Sequence, residues 1–184
     1  MKGKVVIGVA GMPGAGKATV RRIIQRMGYP AVVMGDMVRE EAKRRGLGPT
    51  PENLGQIMLR LREEEGPAVV AKRCVPKIME AREVVVLVDG IRSLQEVEEY
   101  KRHFPDFTLI AIHASPEKRF RRLFRRGRSD DPRTWETFLE RDRRELSVGL
   151  GDVIANADHM IVNEGTKEQL EEEVQRVLKE LICK

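Results

Sequence analysis

Five short runs of apolar and β-branched residues recur along the chain, and each precedes a segment with helical periodicity. The runs cover residues 4–10, 31–34, 84–88, 107–112 and 158–162. Short apolar runs without polar alternation are typical of strands that are buried on both faces of a sheet. Strands that alternate with helices predict an α/β fold, with a parallel sheet, right-handed crossovers and helices on both faces.

Capping residues mark the starts of several predicted helices. Ser93 with Glu96, and Thr166 with Gln169, match the pattern of a capping box. Ser115-Pro116 places proline at the first helical position, where its missing N–H costs nothing. These positions predict helices that begin shortly after the third, fourth and fifth strands.

Two stretches are longer than a simple strand–helix repeat requires. Residues 36–82 have a helical pattern, with breaks predicted at Gly46 to Pro51, Gly66-Pro67 and Pro76. Residues 127–150 are rich in arginine. Ligands bind beyond the carboxyl ends of the strands in open α/β sheets, so we expect both stretches to be insertions at that edge. The length fits one domain, residues 1–184.

The first predicted strand ends in a glycine-rich loop, which an amphipathic helix follows at once. The loop consists of Gly11, Met12, Pro13, Gly14, Ala15, Gly16, Lys17, Ala18 and Thr19. It matches GxxxxGK in the strand–loop–helix context of a phosphate-binding loop, or P-loop. Backbone N–H groups and the helix N-terminus attract phosphate oxygens, and the lysine supplies a cation for the β and γ phosphates. We therefore expect this loop to bind ATP with Mg²⁺.

Ala18 stands where most P-loops place a hydroxyl that binds Mg²⁺, and Thr19 comes one residue later. In this respect the loop resembles that of the adenylate kinases, in which a small residue follows the lysine and threonine comes next. The resemblance implies that Mg²⁺ is held largely through water and phosphate oxygens. Thr19 and Asp89, which follows the third strand, are the candidate metal ligands.

Two further segments resemble the acceptor side of the adenylate kinases. Residues 35–39 (GDMVR) are similar to their GDMLR segment, and residues 89–92 (DGIR) are similar to DGFPR without the proline. The resemblance implies that Arg39 and Arg92 hold the phosphate of the acceptor. If the acceptor is a hydroxyl, Asp36 is the candidate for the general base. If the acceptor is an ionised phosphate, no base is needed.

An arginine-rich segment follows the fourth strand. Residues 118–128 combine an apolar face with many arginines, most of which we expect to be solvated. A mobile lid needs positive charge over the transferred phosphoryl group, and its candidates are Arg125, Arg126, Arg128 and Arg141. Asp142 lies on the apolar face of the helix that starts at Trp135, so its carboxylate must be paired or hydrogen-bonded.

The segment 157–166 (ADHMIVNEGT) resembles the closing strand and loop of dephospho-coenzyme A kinases and adenylate kinases. In those families the loop packs against adenine, which implies that Gly165 and Thr166 contact the nucleotide. Nearly the whole chain resembles an uncharacterised archaeal P-loop kinase-like family related to both. This resemblance implies the P-loop NTPase fold of the nucleoside monophosphate kinase type. It also implies a five-stranded sheet of order 2-3-1-4-5, with helical acceptor-binding and lid insertions at about 36–82 and 127–150.

Composition narrows the partners and the compartment. The 184 residues include 34 Lys and Arg against 29 Asp and Glu, a formal net charge of +5. Positive charge favours nucleotides, coenzymes or nucleic acid. The two cysteines form no CxxC or Cys/His cluster, which argues against zinc or a disulfide framework. The chain shows no signal peptide and no apolar run near the roughly 20 residues of a membrane span, which predicts a cytoplasmic protein.

Three functions remain open from the sequence. The first is transfer of the γ-phosphate of Mg·ATP to a nucleoside monophosphate. The second is phosphorylation of a hydroxyl on a coenzyme-like acceptor such as dephospho-coenzyme A, with Asp36 as base. The third, of another class, is a nucleotide-gated regulatory or RNA-binding protein with weak or no ATPase activity. RNA would then contact residues 118–128, but nucleic acid is the less favoured partner.

Overall fold

A parallel sheet forms the centre of the protein, for which a computed structural model describes residues 3–128 and 131–182. Its five strands are in the order β2-β3-β1-β4-β5, as the resemblance to nucleotide kinases implied. The strands are β1 (Val5–Ala10), β2 (Ala31–Val33), β3 (Val85–Asp89), β4 (Asp106–His113) and β5 (His159–Val162). Every one coincides with a predicted apolar run, within one residue at each end. The central position of β1 places the loop that follows it in the middle of the carboxyl edge.

Helices cover both faces of this sheet. In chain order they are α1 (Lys17–Arg26), α2 (Met34–Arg44), α3 (Pro51–Glu65), α4 (Val69–Glu80), α5 (Leu94–His103), α6 (Pro116–Arg126), α7 (Trp135–Ser147), α8 (Leu150–Ala155) and α9 (Lys167–Ile182). On one face, Ile23 of α1 and Leu178 of α9 pack with Ile7 and Ile110 of the sheet. The opposite face is covered by α2, α3, α4, α5 and α8. The sheet is thus buried on both sides, as its apolar strands require.

The predicted helix starts are confirmed. Ser93 and Glu96 form a capping box at α5. The N–H of Thr166 donates to the side chain of Gln169 at 2.9 Å, and the N–H of Gln169 donates back to the threonine hydroxyl at 3.3 Å. Pro116 stands in the first turn of α6. Within residues 3–128 and 131–182, no helix combines the length and hydropathy that a membrane span needs.

The prediction of a break at Pro76 is wrong. Pro76 lies inside α4, which continues through it from Val69 to Glu80. Proline removes one helical hydrogen bond and usually breaks a helix interior. Here Cys74, Val75 and Ile78 are buried on either side of it, and their packing against the core offsets that cost. Cys74 is a buried free thiol, and Cys183 lies outside the described residues.

Candidate functional site

The loop between β1 and α1 has a backbone that requires glycine. Gly11 has a φ of +152° and Gly14 a φ of +82°. A Cβ on Gly11 would lie 2.5 Å from the carbonyl oxygen of Ile112, and one on Gly14 would lie 2.7 Å from the carbonyl oxygen of Arg119. Both neighbours are backbone atoms, which cannot rotate aside. The glycines therefore allow the loop to pack directly on β4 and α6.

Side chains from α6 and from the residue after β5 hold the outer side of this loop. Arg119 Nη1 donates to the carbonyl oxygen of Pro13 at 3.3 Å. The carbonyl oxygen of Ala15 accepts from Arg122 Nη1 at 3.3 Å and from Asn163 Nδ2 at 2.8 Å. Arg122 also donates to the carbonyl oxygen of Asn163 at 2.9 Å. The loop is thus fixed by hydrogen bonds from a helix and a strand end that lie far away in the sequence.

Lys17, the first residue of α1, folds back over the loop. Its ammonium donates to the carbonyl oxygens of Gly11 and Met12, the latter at 3.4 Å. Burial lowers the pKa of Lys17 to about 8, although the carboxylate of Asp89 opposes this decrease. A partly desolvated ammonium of this kind gains more from an anionic ligand than a solvated one does.

Asp89 ends β3, the neighbour of β1, and is buried beside the loop. Its carboxylate accepts from Arg21 Nη1 at 3.0 Å. Burial raises the pKa of Asp89, and the charges of Lys17 and Arg21 oppose this increase. The hydroxyl of Thr19 accepts from Arg22 Nη2 at 3.3 Å. Asp89 and Thr19 offer the oxygen donors that Mg²⁺ prefers, but the described residues include no group of three or more acidic, histidine or cysteine side chains able to hold a metal.

One cleft of about 1180 Å³ joins this loop to most of the other predicted site residues. Those that line it are Gly11, Pro13, Gly14, Gly16, Lys17, Ala18, Thr19, Asp36, Arg39, Asp89, Arg92, Arg126, Arg128, Arg141, Gly165 and Thr166. Met12 and Ala15 are not among the lining residues. Met12 packs against the core, and the N–H of the buried Ala15 donates to the carbonyl oxygen of Met12 at 3.1 Å. The sequence predictions therefore come together in space, except at these two positions and at Arg125.

Each predicted acceptor arginine is paired with a carboxylate. Asp36 and Arg39 lie on α2 and form an ion pair with both side chains about half exposed. Arg92 Nη1 lies 3.4 Å from the carboxylate of Glu145 on α7, a cleft residue that sequence reasoning missed. The cleft lining also includes the apolar residues Val38, Met58, Val70, Ile91 and Leu150. The cleft thus offers two cations together with apolar lining residues.

Three of the four lid candidates contact one aspartate that sequence reasoning also missed. Arg126 donates through Nε and Nη2 to the Asp131 carboxylate at 2.9 and 2.5 Å. Arg141 Nη1 lies 3.6 Å from the same carboxylate, and the N–H of Arg128 donates to it at 3.0 Å. Burial alone would raise the pKa of Asp131, but the hydrogen bonds from Arg126 and Arg128 hold it below its usual value. Residues 129–130 lie outside the described part of the chain.

The prediction that most arginines of residues 118–128 are solvated is confirmed, since four of the six are exposed, and the other two differ. Arg119 is buried, and Arg122 contacts the phosphate loop. Arg125 is exposed and is not among the cleft lining, unlike the other lid candidates. The expected pairing of Asp142 is confirmed, because Arg119 binds it through both nitrogens of its fork. A carboxylate on an apolar helix face was the signal that a buried cation had to lie opposite.

The loop after β5 is anchored to α6. Glu164 accepts from the N–H of Ser115, and the Lys118 ammonium donates to the carbonyl oxygen of Glu164. Gly165 and Thr166 line the cleft beside the phosphate loop. Thr166 also caps α9, so its hydroxyl already has a structural role. Contact with adenine remains a prediction for these two residues.

Comparisons with known proteins agree with this fold. A family model described as "AAA domain" (AAA_17) matches residues 10–139. A UPF0200 protein of Hyperthermus butylicus is 52% identical over 178 residues, which cover 97% of this chain and 95% of the relative. A UPF0200 protein of Pyrococcus furiosus is 48% identical, covering 95% and 96%.

Solved structures that resemble the chain are more distant in sequence. The TT1252 protein from Thermus thermophilus superposes with a TM-score of 0.69 at 22% identity, covering 98% of this chain and 99% of that one. Shikimate kinase from Bacteroides thetaiotaomicron gives a TM-score of 0.66 at 19% identity, with 98% and 99% covered. Shikimate kinase from Acinetobacter baumannii in complex with shikimate gives 0.59 at 17% identity, with 98% and 94% covered. At these identities the likeness shows the fold alone, which is that of the P-loop kinases.

Proposed function

The chain belongs to the UPF0200 family and carries its P-loop kinase-like domain, and from this premise we propose that it is an ATP-dependent phosphotransferase acting on a small acceptor. The acceptor that we favour is a nucleoside monophosphate. The observation that carries the proposal is one cleft that is lined both by the phosphate loop and by Arg39 and Arg92. Such a cleft suits two anionic ligands bound next to each other. We also propose that the protein lies in the cytoplasm.

The donor side of the proposal uses the phosphate loop. Loop N–H groups and the N-terminus of α1 bind the triphosphate, and Lys17 neutralises the β and γ phosphates. Mg²⁺, when bound, supplies further positive charge to the transferred group. Thr19 and Asp89 would hold it, partly through water, because the two residues offer too few oxygens for a complete shell. Gly165 and Thr166 would lie against the base.

Transfer itself requires orientation and charge more than covalent chemistry. The transferred phosphoryl group spreads negative charge over its peripheral oxygens. Arg126, Arg128 and Arg141 line the cleft and would stabilise that charge. Asp131 contacts the guanidinium groups of Arg126 and Arg141 and the backbone N–H of Arg128, so two of the three side chains are oriented before the ligand arrives.

On the acceptor side, Arg39 and Arg92 would bind the acceptor phosphate. A guanidinium fork matches phosphate in a bidentate manner that lysine does not reproduce. The paired carboxylates of Asp36 and Glu145 hold these side chains near the cleft while no phosphate is bound. The apolar lining residues of the cleft fit the face of a nucleobase.

A hydroxyl acceptor is the second candidate, and Asp36 favours it. Its carboxylate lines the cleft and is about half exposed, so it is accessible as a general base. The structural neighbour that was solved in complex with shikimate binds an acceptor that carries hydroxyl groups. Dephospho-coenzyme A, which has both a hydroxyl and phosphates, would use Asp36 and the arginines together.

Acceptor-dependent ADP formation tests the proposal. The protein is incubated with Mg·ATP and, separately, with nucleoside monophosphates, dephospho-coenzyme A and nucleosides. We expect one class to stimulate ADP release, and Arg39→Ala and Arg92→Ala each to raise the KM for that acceptor at least about tenfold, the equivalent of one charge-assisted hydrogen bond. Arg102→Ala is the control, because Arg102 is exposed, pairs with Glu99 and is not among the cleft lining.

Asp36→Asn then separates the two candidates. Loss of a general base costs about 10²- to 10⁴-fold in kcat for a hydroxyl acceptor, whereas an ionised phosphate acceptor needs no base and keeps most of its kcat. Absence of stimulation by every acceptor, or unchanged kinetics in both arginine variants, would remove the proposed acceptor site.

A further inference from the structure

We propose that Arg119 and Asp142 form a buried link through which α7 holds the phosphate loop in its binding conformation. The pair is a positioning device, because it sets the affinity for nucleotide without touching the nucleotide. The inference rests on the proposed function, since it concerns the same phosphate site. It assigns a role to two residues outside the cleft.

The contacts of Arg119 connect three parts of the chain. Nη1 and Nη2 donate to the two carboxylate oxygens of Asp142 at 2.8 and 2.6 Å. Nη1 also donates to the carbonyl oxygen of Pro13 at 3.3 Å, and Nε donates to that of Ala114 at 3.1 Å. The guanidinium lies 5.0 Å from the centre of the Phe138 ring. The arginine therefore joins α6, α7 and the phosphate loop at one point.

Burial separates this pair from the ordinary surface arginines. The side chain of Arg119 is 5% exposed and that of Asp142 is 13% exposed. Neither residue is among the described residues that line the cleft. An ion pair gains little at the surface but interacts strongly when it is desolvated and bidentate. The pair is thus built to fix geometry behind the loop, away from the ligand.

The geometry of a peptide unit explains how this contact acts on the ligand site. In a trans peptide the C=O of one residue and the N–H of the next point in opposite directions. Arg119 draws the carbonyl of Pro13 towards α6, so the N–H of Gly14 is directed away from α6. Gly14 lines the cleft, where an outward N–H is available to a phosphate oxygen. Loss of the arginine contact removes the hydrogen bond that holds the carbonyl of Pro13 in this direction.

Asp142 is needed because it shares a nitrogen of Arg119 with the loop. Nη1 carries two hydrogens, of which one goes to Asp142 and the other to Pro13. The carboxylate therefore sets the orientation in which the second hydrogen reaches the loop. On the same helix, Arg141 lines the cleft and Glu145 pairs with Arg92. Any shift of α7 is consequently transmitted to the phosphate loop as well as to the acceptor side.

Isothermal titration calorimetry with ATP, at 25 °C and without acceptor, tests the link. Asp142→Asn keeps the shape of the side chain and removes its charge, and Arg119→Lys keeps the charge and removes the fork. We expect each to weaken ATP binding at least about tenfold. Arg121→Lys is the matched control, because Arg121 lies on the same helix in an exposed ion pair with Glu117. We expect its affinity to equal that of the parent.

The double variant Arg119→Met/Asp142→Leu distinguishes positioning from stability. Replacing both partners leaves no unpaired buried charge, so thermal unfolding should return close to that of the parent. We expect its ATP affinity to stay at least about tenfold weaker, because the contact with Pro13 is lost. A double variant that is stable and binds ATP as the parent does would overturn the link.

The two proposals fail in distinguishable ways. A parent protein that gives no ATP binding overturns the proposed function, and the link with it. A parent that binds ATP, with single variants that lower only the melting temperature and keep the affinity within about twofold, overturns the link alone. In that case the pair is only a structural ion pair.

Discussion

Lys17 shows how the fold changes the chemistry of a single side chain. The ammonium is desolvated under its own loop, which lowers its pKa to about 8. Phosphate oxygens stabilise the charged form, so the pKa of Lys17 in the ATP complex must be higher than in the free protein. We therefore expect ATP binding to be coupled to proton uptake in a defined range of pH.

The pH dependence of ATP affinity follows from this coupling. Below about pH 7, Lys17 of the protein without ATP is already charged, so its contribution to the affinity for ATP does not change with pH. Above about pH 8 the association constant should fall, approaching tenfold per pH unit until the pKa of the complex is reached. Calorimetry between pH 6.5 and 9.5, in two buffers with different ionisation enthalpies, measures both the affinity and the proton uptake.

Lys17→Arg is the control for this effect, because arginine does not deprotonate in this range. Whatever its absolute affinity, the variant should show no proton uptake at pH 9. Equal proton uptake in the variant and the parent, or a parent affinity that is constant to pH 9.5, would contradict the assignment to Lys17.

Individual site residues could be predicted from the sequence where they lie next to each other along the chain. The residues of the phosphate loop form one motif, and Asp89 directly follows a recognisable strand. Glu145 and Asp131 escaped prediction because their pairing with Arg92 and Arg126 is visible only once α7 and the segment after α6 have been placed. Both side chains are ordinary carboxylates, and their role is visible only from the way in which the helices pack.

At the scale of elements, a buried glutamate holds α2 against its neighbours. The Glu41 side chain is 3% exposed and accepts from Arg44 of its own helix at 2.6 Å and from Arg45, the next residue, at 2.5 Å. It also accepts from Arg73 of α4 at 3.0 Å. The hydrogen bond from Arg44, with those from Arg45 and Arg73, holds the pKa of Glu41 far below its usual value. Because α2 carries Asp36 and Arg39, this carboxylate supports the acceptor side.

Glu41→Gln should lower the free energy of unfolding by about 2 kcal/mol, since it removes hydrogen bonds to charged groups. Glu40→Gln is the matched control: the adjacent Glu40 pairs with Lys77 at the surface at 2.7 Å, and its loss should cost about 0–1 kcal/mol. Denaturant unfolding at pH 7 measures both. Equal losses in the two variants would show that Glu41 holds no element in place.

The stability of the protein at acid pH gives a second test of the role of Glu41. A carboxyl with a depressed folded-state pKa contributes stability above its unfolded pKa, about 4.5. That contribution is lost as the pH falls below this value. The difference in stability between parent and Glu41→Gln should therefore narrow below about pH 4.5, and a difference that is constant down to pH 3 would contradict it.

The elements themselves were largely encoded in local patterns. All five strands and the capped helix starts could be predicted, because burial and capping act over a few residues. Pro76 led to a wrong prediction, because the cost of proline in a helix is visible in the sequence and the packing of α4 that offsets it is not. Strand order was implied by resemblance alone, because hydrophobic periodicity carries no information on which strands are neighbours.

At the scale of the whole molecule, several arginines of the segment after β4 are bound by other parts of the protein. In residues 118–128, Arg119 and Arg126 are bound to aspartates, and Arg122 to the phosphate loop. Arg121, on the exposed side, is neutralised by Glu117. This stretch therefore offers less free surface charge to RNA than its sequence suggested. The cleft gathers the arginines instead, which favours a small anionic ligand over an extended polymer.

The most direct test of this account is calorimetric titration of the parent and of Lys17→Ala with ATP in the presence of Mg²⁺. We predict saturable heat for one site in the parent, and an affinity at least about tenfold weaker in the variant, because a charge-assisted contact is lost. Lys101→Ala, at an exposed lysine of α5, should match the parent. Absence of heat in the parent, or equal affinity in Lys17→Ala, would contradict the claim that this loop binds a triphosphate.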